Sequence, residues 1–144
     1  MIAALLPALI FGGLGLVISY LIVSGHAVGG DWWSIVVASG VAAFAVSYVL
    51  WRVICSPVKP LSARRGALAG ALTGVLAHPV AWFLAIIWNY LQGHALFPSS
   101  NPFGPIAGLQ ATFVFAFFGL LLTGWLTVPA GAIAGWLLAR RRGN

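Results

Sequence analysis

The chain has 144 residues, 62% of them hydrophobic and 6% charged, where a soluble domain carries roughly 25% charged side chains. That polar fraction cannot coat a water-soluble globule, so the composition points to a bilayer as solvent. Seven basic residues against one acid give a net charge of +6, but the cations stand at the ends of apolar runs and form no recognition motif. Nucleic acid is therefore excluded as a partner, and anionic lipid headgroups are the expected one.

The first apolar segment covers about residues 2–23, long enough to cross a hydrocarbon core of roughly 30 Å. It lacks a basic leading region, and "SGHAVGG" is a poor cleavage site, so it reads as a retained helix rather than a signal peptide. Gly12, Gly13 and Gly15 give it a small-residue surface. The following loop, "SGHAVGGD", holds His26 and Asp31 and has no Lys or Arg.

The second segment, about 32–54, opens on Trp32 and Trp33, carries Ser39, Ala43 and Ser47, and ends beside Arg52. The loop "CSPVKPLSARRG" follows, with Lys59, Arg64 and Arg65. Cys55 is the single cysteine, which rules out an intrachain disulfide and any multi-thiolate zinc or iron–sulfur site.

The third segment, about 66–91, carries Gly66, Gly70 and Gly74 at four-residue spacing, then His78 and Pro79. The loop from 93 to 108 contains His94, Pro98, Pro102 and Pro105, and the prolines argue against regular helix there. The fourth segment, about 109–139, carries Gly119, Thr123, Thr127, Gly131 and Gly135, again in steps of four, with Pro129 expected to kink it. The tail "ARRRGN" closes the chain.

These segments are apolar all round, without strand-like alternation. The fold class is all-α: a single-domain integral membrane four-helix bundle made of two helical hairpins. The cationic loop and tail place both termini and the middle loop in the cytoplasm by the positive-inside rule, with the bacterial inner membrane as the expected location. Trp and Tyr near the segment ends suit the two interfaces.

Lipid-solvated helices gain nothing from the hydrophobic effect on pairing, so close backbone approach and hydrogen bonds must hold them. The small-residue stripes of the third and fourth helices are expected to supply that contact, with each other or with another subunit. His78 lies twelve residues beyond Gly66, about 18 Å along a helix and so near mid-membrane. Counting from each helix end brings Ser39, Gly13 and Thr127 to the same depth. His78 is expected to bond a carbonyl freed by Pro79 or Pro129, or Thr127, as a neutral residue fixing register.

"GVLAH", Gly74 to His78, resembles over those five residues the Ala-xxx-His ligand pattern of bacterial light-harvesting polypeptides. The resemblance implies a tetrapyrrole with His78 as axial ligand, although Gly replaces Ala and Pro79 follows. Otherwise no cofactor is expected. His26, Asp31 and His94 are candidate metal ligands on the outer side, but their spacing does not enforce proximity.

No paired carboxylates, HExxH, GxSxG or Walker-type loop is present, so a non-catalytic protein is expected. The leading expectation is an accessory or structural subunit packing against other membrane protein subunits or copies of itself. A small-molecule or ion transporter or channel, working as an oligomer with His78 at the midplane, is the alternative. A tetrapyrrole-binding subunit is the third.

Overall fold

The computed structural model describes residues 2–24, 32–55, 62–94 and 104–143. They form α1 (Ile2–Ser24), α2 (Trp32–Leu50) continued by a π-helical turn (Trp51–Cys55), α3 (Ala63–Leu91) and α4 (Pro105–Gly143). There is no strand among the described residues. All four helices are long and apolar enough to cross a membrane.

Two helices exceed the expected bounds, for a physical reason. Apolar runs stop at the first arginines, but backbone hydrogen bonding does not. α3 starts at Ala63, where Ser62 is extended and its carbonyl accepts from the backbone N–H groups of Arg65 (3.1 Å) and Gly66 (3.2 Å). Arg64 and Arg65 occupy that first turn with their side chains exposed. α4 starts at Pro105 rather than near 109, which corrects the expectation that the segment to 108 is wholly non-helical. A proline at the first helical position gives up an N–H that has no intrahelical partner anyway. Pro98 and Pro102 lie outside the described residues. α4 then continues to Gly143, 39 residues in all, or about 58 Å, well beyond a bilayer of about 40–45 Å including headgroups.

α3 ends by a sequence-encoded stop. Gly93 takes φ 67°, its N–H bonds the Tyr90 carbonyl at 3.1 Å, and the His94 N–H bonds the Asn89 carbonyl at 2.9 Å. That pair of bonds is a Schellman arrangement, which glycine enters without strain. Pro79 and Pro129, by contrast, sit within unbroken helices. Each removes one donor, and neither terminates its element.

The helices pack in chain order: α1 on α2, α2 on α3, α3 on α4, with α3 and α4 in the most extensive contact. α1 meets α4 only sparsely. At one end all four chain segments join, through buried Ala4, Trp51, Cys55, Ala69 and Ala139. Arg52, Arg64, Arg65, Arg140 and Arg141 are exposed at this same end, where Arg52 lies over the Tyr48 ring and Arg140 over the Trp136 ring. At the other end a second cluster, Ala38, Ala85 and Ile86 with Trp82, Ala111 and Phe115 around it, joins α2, α3 and α4. α1 contributes nothing to it. The bundle is thus closed at its arginine end, while α1 stands apart from α3 and α4 toward the opposite end.

Candidate functional site

The α3–α4 seam sets the geometry of the middle of the molecule. A methyl group added at Gly66 would overlap the Gly135 carbonyl oxygen, and one at Gly70 the Gly131 carbonyl oxygen; the reverse overlaps hold too. One added at Gly74 would stand 2.8 Å from the Thr127 carbonyl oxygen. Each step of four up α3 is matched by a step of four down α4, as antiparallel helices require. The next rungs pair His78 with Thr123 and Trp82 with Gly119. Backbone meets backbone on the three rungs nearest the arginine end. Side chains fill the two beyond.

That register decides what His78 touches. Its Nε2 lies 2.9 Å from Thr123 Oγ1, and its Nδ1 2.7 Å from the Gly74 carbonyl oxygen. The partners differ from those expected, which were Thr127 or a carbonyl freed by proline. A helical side chain leans back toward the N-terminus over the preceding turn, so the ring meets Gly74, one turn back, and not Val75, whose carbonyl Pro79 leaves free. A carbonyl only accepts, so Nδ1 carries a hydrogen. In the neutral ring Nε2 is then an acceptor and the Thr123 hydroxyl donates to it. The same hydroxyl lies 2.8 Å from the Gly119 carbonyl oxygen, and its single hydrogen serves one acceptor at a time.

Beside this pair lies a cavity of about 450 Å³, walled by all four helices. α1 presents Phe11, Gly15, Ile18 and Ile22 to it, at helical spacing; α2 presents Ser39; α3 Thr73, His78 and Trp82; α4 Leu122, Thr123 and Thr127. Leu122 is 72% exposed and yet lines the cavity, so it forms a lip on the molecular surface. The cavity is a slot opening sideways between α1 and α4.

The slot brings together His78, Ser39 and Thr127, with Gly119 and Thr123, from the residues singled out in the sequence. Gly13 is not among them. A side chain there would meet nothing within 4 Å, and Gly15 faces Ser39 and Ala43 instead. Gly66, Gly70, Gly74, Gly131 and Gly135 meet the facing helix within the chain.

The wall is less polar than its composition suggests. Ser39 donates to the Ile35 carbonyl at 2.8 Å, and Thr73 to the Ala69 carbonyl at 2.8 Å. These are bonds back to the preceding turn of the same helix, the usual way a hydroxyl is hidden in an apolar medium. Thr127 Oγ1 has no hydrogen-bond partner, but it is buried away from the slot surface. The Ser39, Thr73 and Thr127 oxygens therefore turn into the wall, and carbon makes up most of the surface facing the space.

One interhelical contact escaped the sequence reading. Asn89, 2% exposed, donates from Nδ2 to Ser34 Oγ of α2 at 2.8 Å and to the Ala85 carbonyl at 2.9 Å. Its neighbours Trp88 and Tyr90 are exposed and mark the segment as interfacial. Asn89 sits one turn beyond Ala85 and Ile86, which was the available signal that it faces inward.

A tetrapyrrole on His78 does not fit this arrangement. Both ring nitrogens are engaged, and the backbone of Thr127 and Val128 crowds Gly74 where its β-carbon would point. Among the described residues no group of three or more His, Cys, Asp or Glu side chains could hold a metal. His94 is exposed just beyond α3, while His26 and Asp31 lie outside the described residues. Comparison with known proteins returns no matching family model, no matching curated protein and no matching solved structure.

Proposed function

We propose that this protein binds a lipid-soluble small molecule inside the membrane, in the slot between α1 and α4, as the binding unit of a small carrier or transporter. The observation that carries this reading is a cavity of about 450 Å³, within the roughly 300–1,000 Å³ of small-molecule sites, reached from the side on which lipid would lie. The Ser39 and Thr73 hydroxyls of its wall donate to their own helices, which disfavours an ion, since an ion in hydrocarbon needs ligand oxygens turned toward it. The absence of charge from the wall favours an uncharged occupant or part of one. Transport across the bilayer would require more than one copy, because one copy joins all four helices at its arginine end.

The role of an accessory subunit draws less support. The glycines expected to pack the third and fourth helices on each other or on another subunit meet each other within the chain, and a partner would have to use the outer, lipid-facing surfaces. The exposed arginines at one end support placing that end in the cytoplasm. A cysteine introduced at Ser62 should react with an impermeant maleimide only from the cytoplasmic side, and reaction from the other side would reverse the orientation.

Binding is tested by melting the purified protein with a panel of uncharged lipophiles. A ligand at a hundred times its Kd stabilises by about 2.7 kcal/mol, so at least one compound should raise Tm. Ala77 of α3 and Ala130 of α4 also line the slot, and filling it with Ala77→Leu and Ala130→Leu should remove the response. No shift across the panel, or equal shifts in both proteins, defeats the reading.

A further inference from the structure

We propose that the arginine end of the bundle holds the headgroup of an anionic phospholipid between the start of α3 and the end of α4. This site shares no lining residue with the slot. Arg52, Arg64, Arg65, Arg140 and Arg141, from three helices, are all exposed there. The chain has one acidic side chain, Asp31, and it precedes the opposite end of α2. No Asp or Glu side chain is therefore available to pair with these cations. The seam brings four of them together. A methyl group added at Gly66 would overlap the Ala139 β-carbon, which sets Arg64 and Arg65 beside Arg140 and Arg141. Four cations on two touching helix ends repel one another, and an anion between them relieves the repulsion.

Two features favour a lipid over a free anion or an acidic protein. The first is that the cations head apolar strips on their own helices. Leu68 stands four residues from Arg64 and three from Arg65, and Leu137 three from Arg140 and four from Arg141. Residues so spaced are neighbours on one helix face, and both leucines are exposed. On α2, Val49 and Val53 share one recess with Arg52. An anionic head joined to an apolar tail matches that order, whereas a free anion leaves the strips unused. The second is that two of the arginines lie back along their helices instead of reaching outward. Arg140 rests over the Trp136 ring at 5.2 Å and Arg52 over the Tyr48 ring at 5.9 Å. Each ring is four residues nearer the middle of its helix, and such rings favour the headgroup level of a bilayer. A guanidinium held there meets lipid phosphate, to which it can donate two parallel N–H bonds.

Native mass spectrometry of the full-length protein in mild detergent tests this, with phosphatidylglycerol and phosphatidylcholine of matched chains and with inorganic phosphate. One basic side chain near an anionic headgroup is worth about fivefold in affinity. Phosphatidylglycerol should therefore bind more than about tenfold more tightly than phosphatidylcholine. Arg65→Gln combined with Arg140→Gln should weaken phosphatidylglycerol by more than about tenfold and leave phosphatidylcholine binding and the lipid-free Tm unchanged. The preference should survive Ala77→Leu with Ala130→Leu, so that failure here and failure of the slot reading are told apart. Equal affinity for the two lipids, or a preference untouched by the arginine changes, overturns the proposal. Inorganic phosphate displacing the lipid at equal concentration would assign the site to a free anion, and an acidic polypeptide retained there in place of lipid would assign it to a protein; either result overturns it as well.

Discussion

The His78 ring is held on two sides, by the Gly74 carbonyl of its own helix and by the Thr123 hydroxyl of α4. Hydrogen bonds between membrane helices contribute about 0.6 kcal/mol on average and up to about 1.7 kcal/mol. A double-mutant cycle of His78→Ala and Thr123→Val, followed by reversible unfolding in detergent, should give coupling in that range. Strictly additive effects would mean that the two side chains do not meet. The position of His78 along α3 was legible from residue counting, because a helix converts residues into distance at a constant rate. Its partner was not. Depth placed Thr127 opposite it, whereas the seam places Thr123 there, and one helical turn separates the two. Asn89 was missed because polarity beside aromatic residues at a helix end looks the same whether the side chain faces the interface or the neighbouring helix.

The seam between α3 and α4 is made by absence of side chains. At Gly70 and Gly131 the facing carbonyl already occupies the place of a β-carbon. A larger residue must push the helices apart over several rungs, since backbone cannot move locally. Gly70→Leu and Gly131→Leu should therefore each destabilise by more than about 3 kcal/mol, in the upper tail of single substitutions. Gly13, with open space around it, supplies the control: Gly13→Ala should be neutral or stabilising by up to about 1 kcal/mol. Similar losses at Gly70 and Gly13, read from thermal unfolding in detergent, would contradict the packing described. The steps of four were visible in the sequence, and so was the antiparallel direction that orders them. What pattern could not supply was the register, because a stripe of glycines slides by one turn without changing its appearance. The helix ends beyond the apolar runs were hidden for a different reason, since hydropathy follows side chains and helices are continued by backbone bonds.

At the scale of the molecule, four apolar helices were legible from composition and length, and the cavity was not. It arises from a difference between two ends. Ala4, Trp51, Cys55, Ala69 and Ala139 close the arginine end around α1, while Trp82, Ile86 and Phe115 fill the other end without it. That asymmetry leaves a slot walled by carbon and lipped by exposed Leu122. His78, Ser39 and Thr127 do lie along it, with the hydrogens of His78 and Ser39 turned back to carbonyls of their own helices, and this shifts the expected occupant from an ion to a lipophile. Native mass spectrometry of the protein released from its own membrane in mild detergent asks the question most plainly, by comparing wild type with the Ala77→Leu, Ala130→Leu protein. A discrete bound lipophile on the wild type, lost when the slot is filled, is the expected result. Bare polypeptide in both, or the same adducts on both, would contradict it.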